Sequence, residues 1–201
     1  MTYGFIYCLG NQVMPGIYKI GMTDRAPSQR CLELSTSTSA PVPFDLLCYA
    51  EVQCAAAIER CLHQQFAECR VSRSREFFET DYRAIHDSFQ SFASTVAETF
   101  EGVEEATRLS LRDEFFSASC SEEKVRALLA ALKFAGVRIW RDGEIIRTSK
   151  MLRLESWMTG AIVGLKKDLL VAVPSKEPVT RLMSLVARQA PKNLEVLESD
   201  R

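Results

Sequence analysis

The chain has 201 residues, 47% of them hydrophobic and 25% charged, with a formal net charge of −1. This is ordinary globular composition, which excludes a disordered chain, a collagen and a coiled-coil rod, and leaves apolar material for one good core or two small ones. No run approaches the roughly 18 apolar residues of a membrane span; the longest candidate, Trp157 to Val173, is broken by Lys166-Lys167-Asp168. The first residues carry no basic region and no cleavage site, so a cytoplasmic protein is expected. The seven cysteines are odd in number and form no Cys-x-x-Cys. Reduced thiols that act as small core residues are therefore expected rather than a disulfide scaffold. Cys61, His63 and Cys69 lie close in sequence, but their spacing matches no common zinc site.

Thr2–Gly10 alternates, with Tyr3, Phe5, Tyr7 and Leu9 on one face and Gly4, Ile6 and Cys8 on the other, which predicts a half-buried strand. Asn11 and Pro15-Gly16 mark a turn, and Ile17–Met22 completes a hairpin with a longer loop. Pro27 suits the first turn of a helix running through Arg30, Leu32 and Leu34 and stopping in Ser35–Ser39. Phe44–Val52 reads as a third strand. Cys54–Cys69 reads as a helix with Ile58, Leu62 and Phe66 as its buried stripe. Asp81–Ser119 looks helical, amphipathic and acidic. Glu122–Ala135 is a helix with Val125, Leu128, Leu129 and Leu132 on one face and Gly136 at its end. Val137–Arg141 and Glu144–Ser149 flank Asp142-Gly143, a hairpin signal. Met151–Leu165 reads as helix, Leu169–Val173 as a strand and Pro178–Gln189 as a last helix.

The charge is segregated. Residues 1–80 carry −1, residues 81–123 carry −7, residues 124–193 carry +9 and the tail carries −2. The basic stretch could hold a nucleic acid by counterion release, bind a protein partner, or neutralise the acidic stretch across an internal contact. Three regions follow: a mixed α/β region over 1–80, an acidic helical connector over 81–123, and a basic α+β region over 124–201.

Several chemistry-bearing residues recur in order over the first region: Phe5-Ile6-Tyr7, Tyr18-Lys19-Ile20-Gly21-Met22-Thr23, Arg30, Glu59 with His63, and Arg75-Glu76-Phe77-Phe78. This ordered set resembles the GIY-YIG nuclease superfamily, and more narrowly a phage-type DNA-binding branch with Lys-Ile-Gly in place of Tyr-Ile-Gly. The resemblance covers residues 3–79. It implies an α+β fold, a three-stranded antiparallel sheet flanked by helices, here followed by a mostly helical region with one hairpin. It also implies a divalent-metal endonuclease that hydrolyses DNA in a phage or prophage setting, with one Mg²⁺ or Mn²⁺ ion. The alternative is a DNA-binding module with a degenerate, non-cleaving site.

The roles it implies are these. Tyr7 positions the attacking water or accepts its proton; by itself it also reads as a core or edge tyrosine. Lys19 stands where the second motif tyrosine would be, and offers a point charge instead of a phenol. Tyr18, its neighbour, faces the other side of the strand. Arg30 contacts the scissile phosphate with a planar guanidinium, and otherwise reads as a solvated helix arginine. Glu59 holds the metal, or pairs with Arg60 or Arg70. His63, on the same helix face, orients water, shares the metal or shuttles a proton, or is a plain hydrogen-bonded residue. Glu76 adds a second carboxylate or pairs with an arginine. Lys19, Arg25, Arg30, Arg73 and Arg75 are the expected DNA contacts.

Overall fold

A computed structural model of the chain describes residues 3–36, 42–149 and 154–175. The backbone divides into two compact units, Met1–Ser110 and Leu111–Arg201. The first unit is built on β1 (Tyr3–Gly10), β2 (Ile17–Thr23), α1 (Pro27–Ser35), β3 (Asp45–Gln53), α2 (Ala55–Gln65), β4 (Phe77–Glu79), α3 (Tyr82–Gln90) and β5 (Ala97–Glu98). Helix α4 (Phe100–Ser117) begins in it.

The sheet has five strands, in the order β4-β2-β1-β3-β5, not the three expected. All neighbours are antiparallel. The two extra strands are edges. β4 pairs through Phe77, Phe78 and Glu79, and β5 only through Ala97 and Glu98. Neither is long enough to show a period-2 pattern in sequence.

Alternation along β1 and β2 sends the two sets of side chains into different environments. Ile6, Cys8, Tyr18 and Ile20 enter the main core with Leu62, Phe66, Phe78, Tyr82, Ile85, Phe89 and Leu109. Each fully buried aliphatic or aromatic side chain there contributes roughly 1.5–3 kcal/mol. Tyr7 and Leu9 join Cys31 of α1 in a smaller cluster against Leu34, Phe44, Leu46 and Tyr49. The polar atoms of the main core are satisfied: the Tyr18 hydroxyl donates to Glu105 Oε1, and the Tyr82 hydroxyl donates to Glu98 Oε1 at 2.9 Å. Arg108 closes the arrangement with two bonds to the Glu105 carboxylate, at 2.9 and 2.5 Å. Gly102 lets α4 approach β3, because a Cβ there would lie 2.2 Å from the Leu47 carbonyl oxygen.

Several boundaries differ from expectation. Helix α2 is shorter than Cys54–Cys69 because the chain turns through a single 3₁₀ turn at Ala67–Cys69. Its stripe is as read, with Leu62 and Phe66 buried and Ile58 packed against them. The helical reading of Asp81–Ser119 is interrupted: α3 ends at Gln90, and β5 intervenes before α4. Asp81 caps α3 by accepting from the Arg83 amide at 2.8 Å. Of the seven cysteines only Cys8, Cys31 and Cys48 are buried, while Cys54, Cys61 and Cys120 are exposed. The core role expected for all of them therefore holds for those three.

The second unit continues α4 and adds α5 (Ser121–Phe134), a hairpin of β6 (Ile139–Asp142) and β7 (Ile145–Thr148), α6 (Ser156–Gly164) and α7 (Lys166–Ala172). Its core joins Phe115, Val125, Leu128, Leu132, Val137, Met158 and Leu169. Gly136, at φ +67°, ends α5. The Val137 amide returns to the Leu132 carbonyl at 2.8 Å and the Gly136 amide to that of Lys133 at 3.0 Å, which makes a Schellman motif. The hairpin forms as read, but its two-residue turn is Gly143-Glu144, one position later, because Asp142 pairs with Ile145. Leu169–Val173 is not a strand: it lies largely in α7, whose Leu169 amide donates to Leu165. Its apolar run is as compatible with a short buried helix as with a strand. The expected Met151–Leu165 helix is seen over Ser156–Gly164, Met151 lying outside the described residues, as does the expected helix Pro178–Gln189. Among the described residues no helix is long and apolar enough to cross a membrane.

Candidate functional site

β1 and β2 bring Tyr7 opposite Gly21 and Leu9 opposite Lys19. The phenol of Tyr7 lies directly over Gly21: a Cβ at that position would come within 2.5 Å of the Tyr7 hydroxyl and 2.7 Å of Cζ. The glycine of the Lys-Ile-Gly motif is thus the space into which the tyrosine fits, and no side chain can replace it without moving the phenol.

The Tyr7 hydroxyl interacts with the Arg30 guanidinium and lies in the field of the Glu76 and Glu59 carboxylates. Burial pushes this phenol above its usual value, against the opposing influence of Arg30. At neutral pH it is therefore a neutral hydroxyl, suited to orienting an oxygen rather than to removing a proton. Arg30 projects from α1, is held in its charged form first by Tyr7, and also meets Glu33 at 3.5 Å.

Lys19 is buried, at 8% exposure, although it is charged. What permits this is an ion pair from its Nζ to Glu76 Oε2, with the Phe77 ring centroid 5.8 Å away. Burial alone would raise the Glu76 carboxyl. The hydrogen bond and charge of Lys19, with smaller contributions from His63 and Arg70, bring it below the usual carboxylate value.

Glu59 and His63 have a backbone task that explains their spacing. β4 pairs with β2 from Ile17 to Lys19, and the Ile20 amide still donates to the Glu76 carbonyl at 3.3 Å; the Ile20 carbonyl and the Met22 amide on that edge are left for other partners. Glu59 Oε1 accepts from the Met22 amide at 2.9 Å. His63 Nε2 lies 3.0 Å from the Ile20 carbonyl oxygen, so Nε2 carries the proton and donates. Residues i and i+4 of α2 thus serve residues i and i+2 of the strand edge. The His63 ring also packs on Phe78, with centroids 5.2 Å apart. Glu59 faces a backbone amide rather than Arg60 or Arg70, and its second carboxylate oxygen is the ligand a hard cation would use.

The remaining expected contacts are dispersed. Arg25 is exposed and forked onto Glu33, at 2.7 and 3.0 Å. Arg73 and Arg75 are exposed on the turn before β4, and the Arg75 carbonyl accepts from Arg70 Nε at 2.8 Å. The sequence reading missed Glu33 as a partner, although its i+3 position from Arg30 carries that signal. It also missed the pairing of Glu76 with a lysine instead of an arginine, and Tyr49, which lies directly opposite Tyr7. Lys19 thus engages Glu76, while Arg25 and Arg30 share Glu33.

Among the described residues no cluster of three or more His, Cys, Asp or Glu side chains could hold a metal ion. This leaves no basis for zinc at Cys61, His63 and Cys69. A hydrated Mg²⁺ or Mn²⁺ needs less, since one carboxylate oxygen with waters and substrate phosphates suffices, and Glu59 fits that pattern.

No curated protein and no solved structure matches the chain. Residues 4–93, under half of its length but including Tyr7, Lys19, Arg30, Glu59, His63 and Glu76, match the model of the T5orf172 domain, a GIY-YIG-related phage domain.

Proposed function

We propose that the first unit is a divalent-metal-dependent endonuclease that hydrolyses DNA phosphodiester bonds. The observation that supports this most is the Tyr7 phenol seated over Gly21 beside the Arg30 guanidinium, within the field of the Glu76 and Glu59 carboxylates. Phosphoryl chemistry of this kind relies on positioning and electrostatics. Arg30 holds the scissile phosphate by its planar fork. Tyr7 orients the attacking water with its O–H. Lys19 exchanges Glu76 for a developing negative oxygen. His63, whose Nε2 is spent on the strand edge, has Nδ1 left for proton transfer. Glu59 would hold one Mg²⁺ or Mn²⁺, which when bound neutralises phosphate charge and acidifies water.

The second reading is a DNA-binding module whose degenerate site does not cut. Its support is Lys19, a cation buried against Glu76 where a motif phenol would otherwise act. In either reading the basic stretch 124–193 is available for DNA, a protein partner or an internal contact. The experiment is plasmid nicking under Mg²⁺ and Mn²⁺ titration beside Glu59→Gln, which keeps an acceptor for the Met22 amide and removes the charge. Nicking that requires metal and falls by roughly 100-fold or more in the variant supports the enzyme. Metal-independent binding without turnover supports the module instead.

A further inference from the structure

The face of the sheet that carries Tyr7 continues past the site. Along β1 it presents Phe5 and Tyr3, and across on β3 it presents Tyr49, opposite Tyr7, and Glu51, opposite Phe5. Helix α1 covers the Leu9 end of this face, through Cys31 and Leu34. The Tyr3 end is different. Tyr3 is 60% exposed, Phe5 and Tyr49 are half-buried, and among the described residues Phe5 and Tyr3 belong to none of the hydrophobic cores. Phe5 meets Tyr49 edge-on, with ring centroids 6.2 Å apart, and the Tyr3 hydroxyl accepts from Gln53 Nε2 at 2.9 Å. Aromatic rings thus run outward from the arginine–tyrosine pair: Tyr49 packs on the edge of the Tyr7–Leu9–Cys31 cluster, and beyond it, among the described residues, Phe5 and Tyr3 join no apolar layer.

We infer that Tyr3, Phe5 and Tyr49 form a stacking platform for unpaired nucleobases beside the phosphate held at Arg30, so that the substrate is single-stranded or splayed DNA. The inference deepens the proposed function and rests on Arg30 being the phosphate contact. Two arguments support it. Aromatic faces bind bases only when those faces are free, and in a duplex they are already stacked. Successive rings on one face of a strand lie roughly 6.6 Å apart, two residues at about 3.3 Å each. This is about twice the 3.4 Å rise per nucleotide of a stacked strand, so only an extended, unstacked strand meets successive rings. The rings are continuous with the site, and the flanking charges, Glu51 among them, favour neutral bases over further phosphates here.

The test uses the full chain and a single-stranded oligonucleotide carrying 2-aminopurine, beside its duplex, with Ca²⁺ as the cation. Affinity is read by anisotropy and stacking by base fluorescence. The expected result is tighter binding of the single strand, with quenched 2-aminopurine. Phe5→Leu and Tyr49→Leu keep apolar bulk but lose the ring faces, and should weaken single-strand binding by roughly 5- to 100-fold while leaving duplex binding unchanged. Tyr3→Ser, at an exposed ring, carries the test if a variant at a half-buried ring does not fold. Equal binding of both DNAs, lost in Arg30→Ala but untouched by the ring variants, overturns the platform and leaves the phosphate site standing. Binding that ignores Arg30→Ala as well overturns both.

Discussion

The two faces of the central sheet each bury a tyrosine, and they use it differently. On the core face Tyr18 donates to Glu105, itself clamped by Arg108, and burial followed by the Glu105 charge drives the phenol far above its usual value. That group is fixed and sealed. On the other face Tyr7 is as deeply buried but meets Arg30, a side chain still 37% exposed, in the field of Glu76, which Lys19 engages, and of Glu59, which accepts from a backbone amide. The difference teaches where chemistry can occur. Satisfied polar pairs in the core specify structure, whereas pairs at a half-open edge can exchange partners when a phosphate arrives.

The comparison breaks most sharply at Arg30. Arg30→Ala should lower nicking by roughly 100- to 1000-fold while shifting the melting temperature little, because the side chain is partly exposed. Gly21→Ala comes next: its Cβ displaces the Tyr7 phenol, and about 10- to 100-fold of activity should be lost with the chain still folded, measured by nicking beside circular dichroism. Tyr18→Phe inverts the pattern. It should cost about 1–2 kcal/mol in chemical denaturation, through the loss of a bond to a charged group, and leave nicking unchanged.

Glu76→Gln tests the ion pair by pH. The carboxyl lies below its unfolded value, so its stabilisation is complete above that value, about 4.5, and is lost as pH falls through the lower folded one. With the carboxylate 44% exposed, the variant should be less stable by about 0.5–1 kcal/mol at pH 7, and the gap should close in acid. A constant gap across that range contradicts the assignment. The smallest effect concerns Cys54, a non-glycine residue at φ +55° just before α2. Cys54→Gly should raise stability by about 0.5–1 kcal/mol, read from the denaturation midpoint.

Much of this was legible in the chain, and the reasons are physical. The alternation of Tyr3, Phe5, Tyr7 and Leu9 fixed β1 and its faces, and alternation along the second strand placed Tyr18 and Lys19 on opposite sides. The stripe Ile58, Leu62 and Phe66 located α2, and with it the shared face of Glu59 and His63. Short elements were not legible, since three residues of β4 and two of β5 carry no period. Nor was the engagement of Lys19 by Glu76, which lie 57 residues apart and meet only because β4 docks on β2. The edge role of Glu59 and His63 was hidden for the same reason: it depends on how far β4 reaches along its neighbour.

The proposed function turns on two phosphate ligands, Lys19 and Arg30, engaged by Glu76 and Glu33, and on Glu59 as the residue that would hold a divalent ion and so raise the affinity for DNA. The most direct measurement is the affinity of the full chain for a labelled oligonucleotide at low salt, with and without Mn²⁺, in the native chain and in Glu59→Gln. The account predicts an affinity that rises on adding Mn²⁺ in the native chain and not in the variant. Equal gains in both would contradict it.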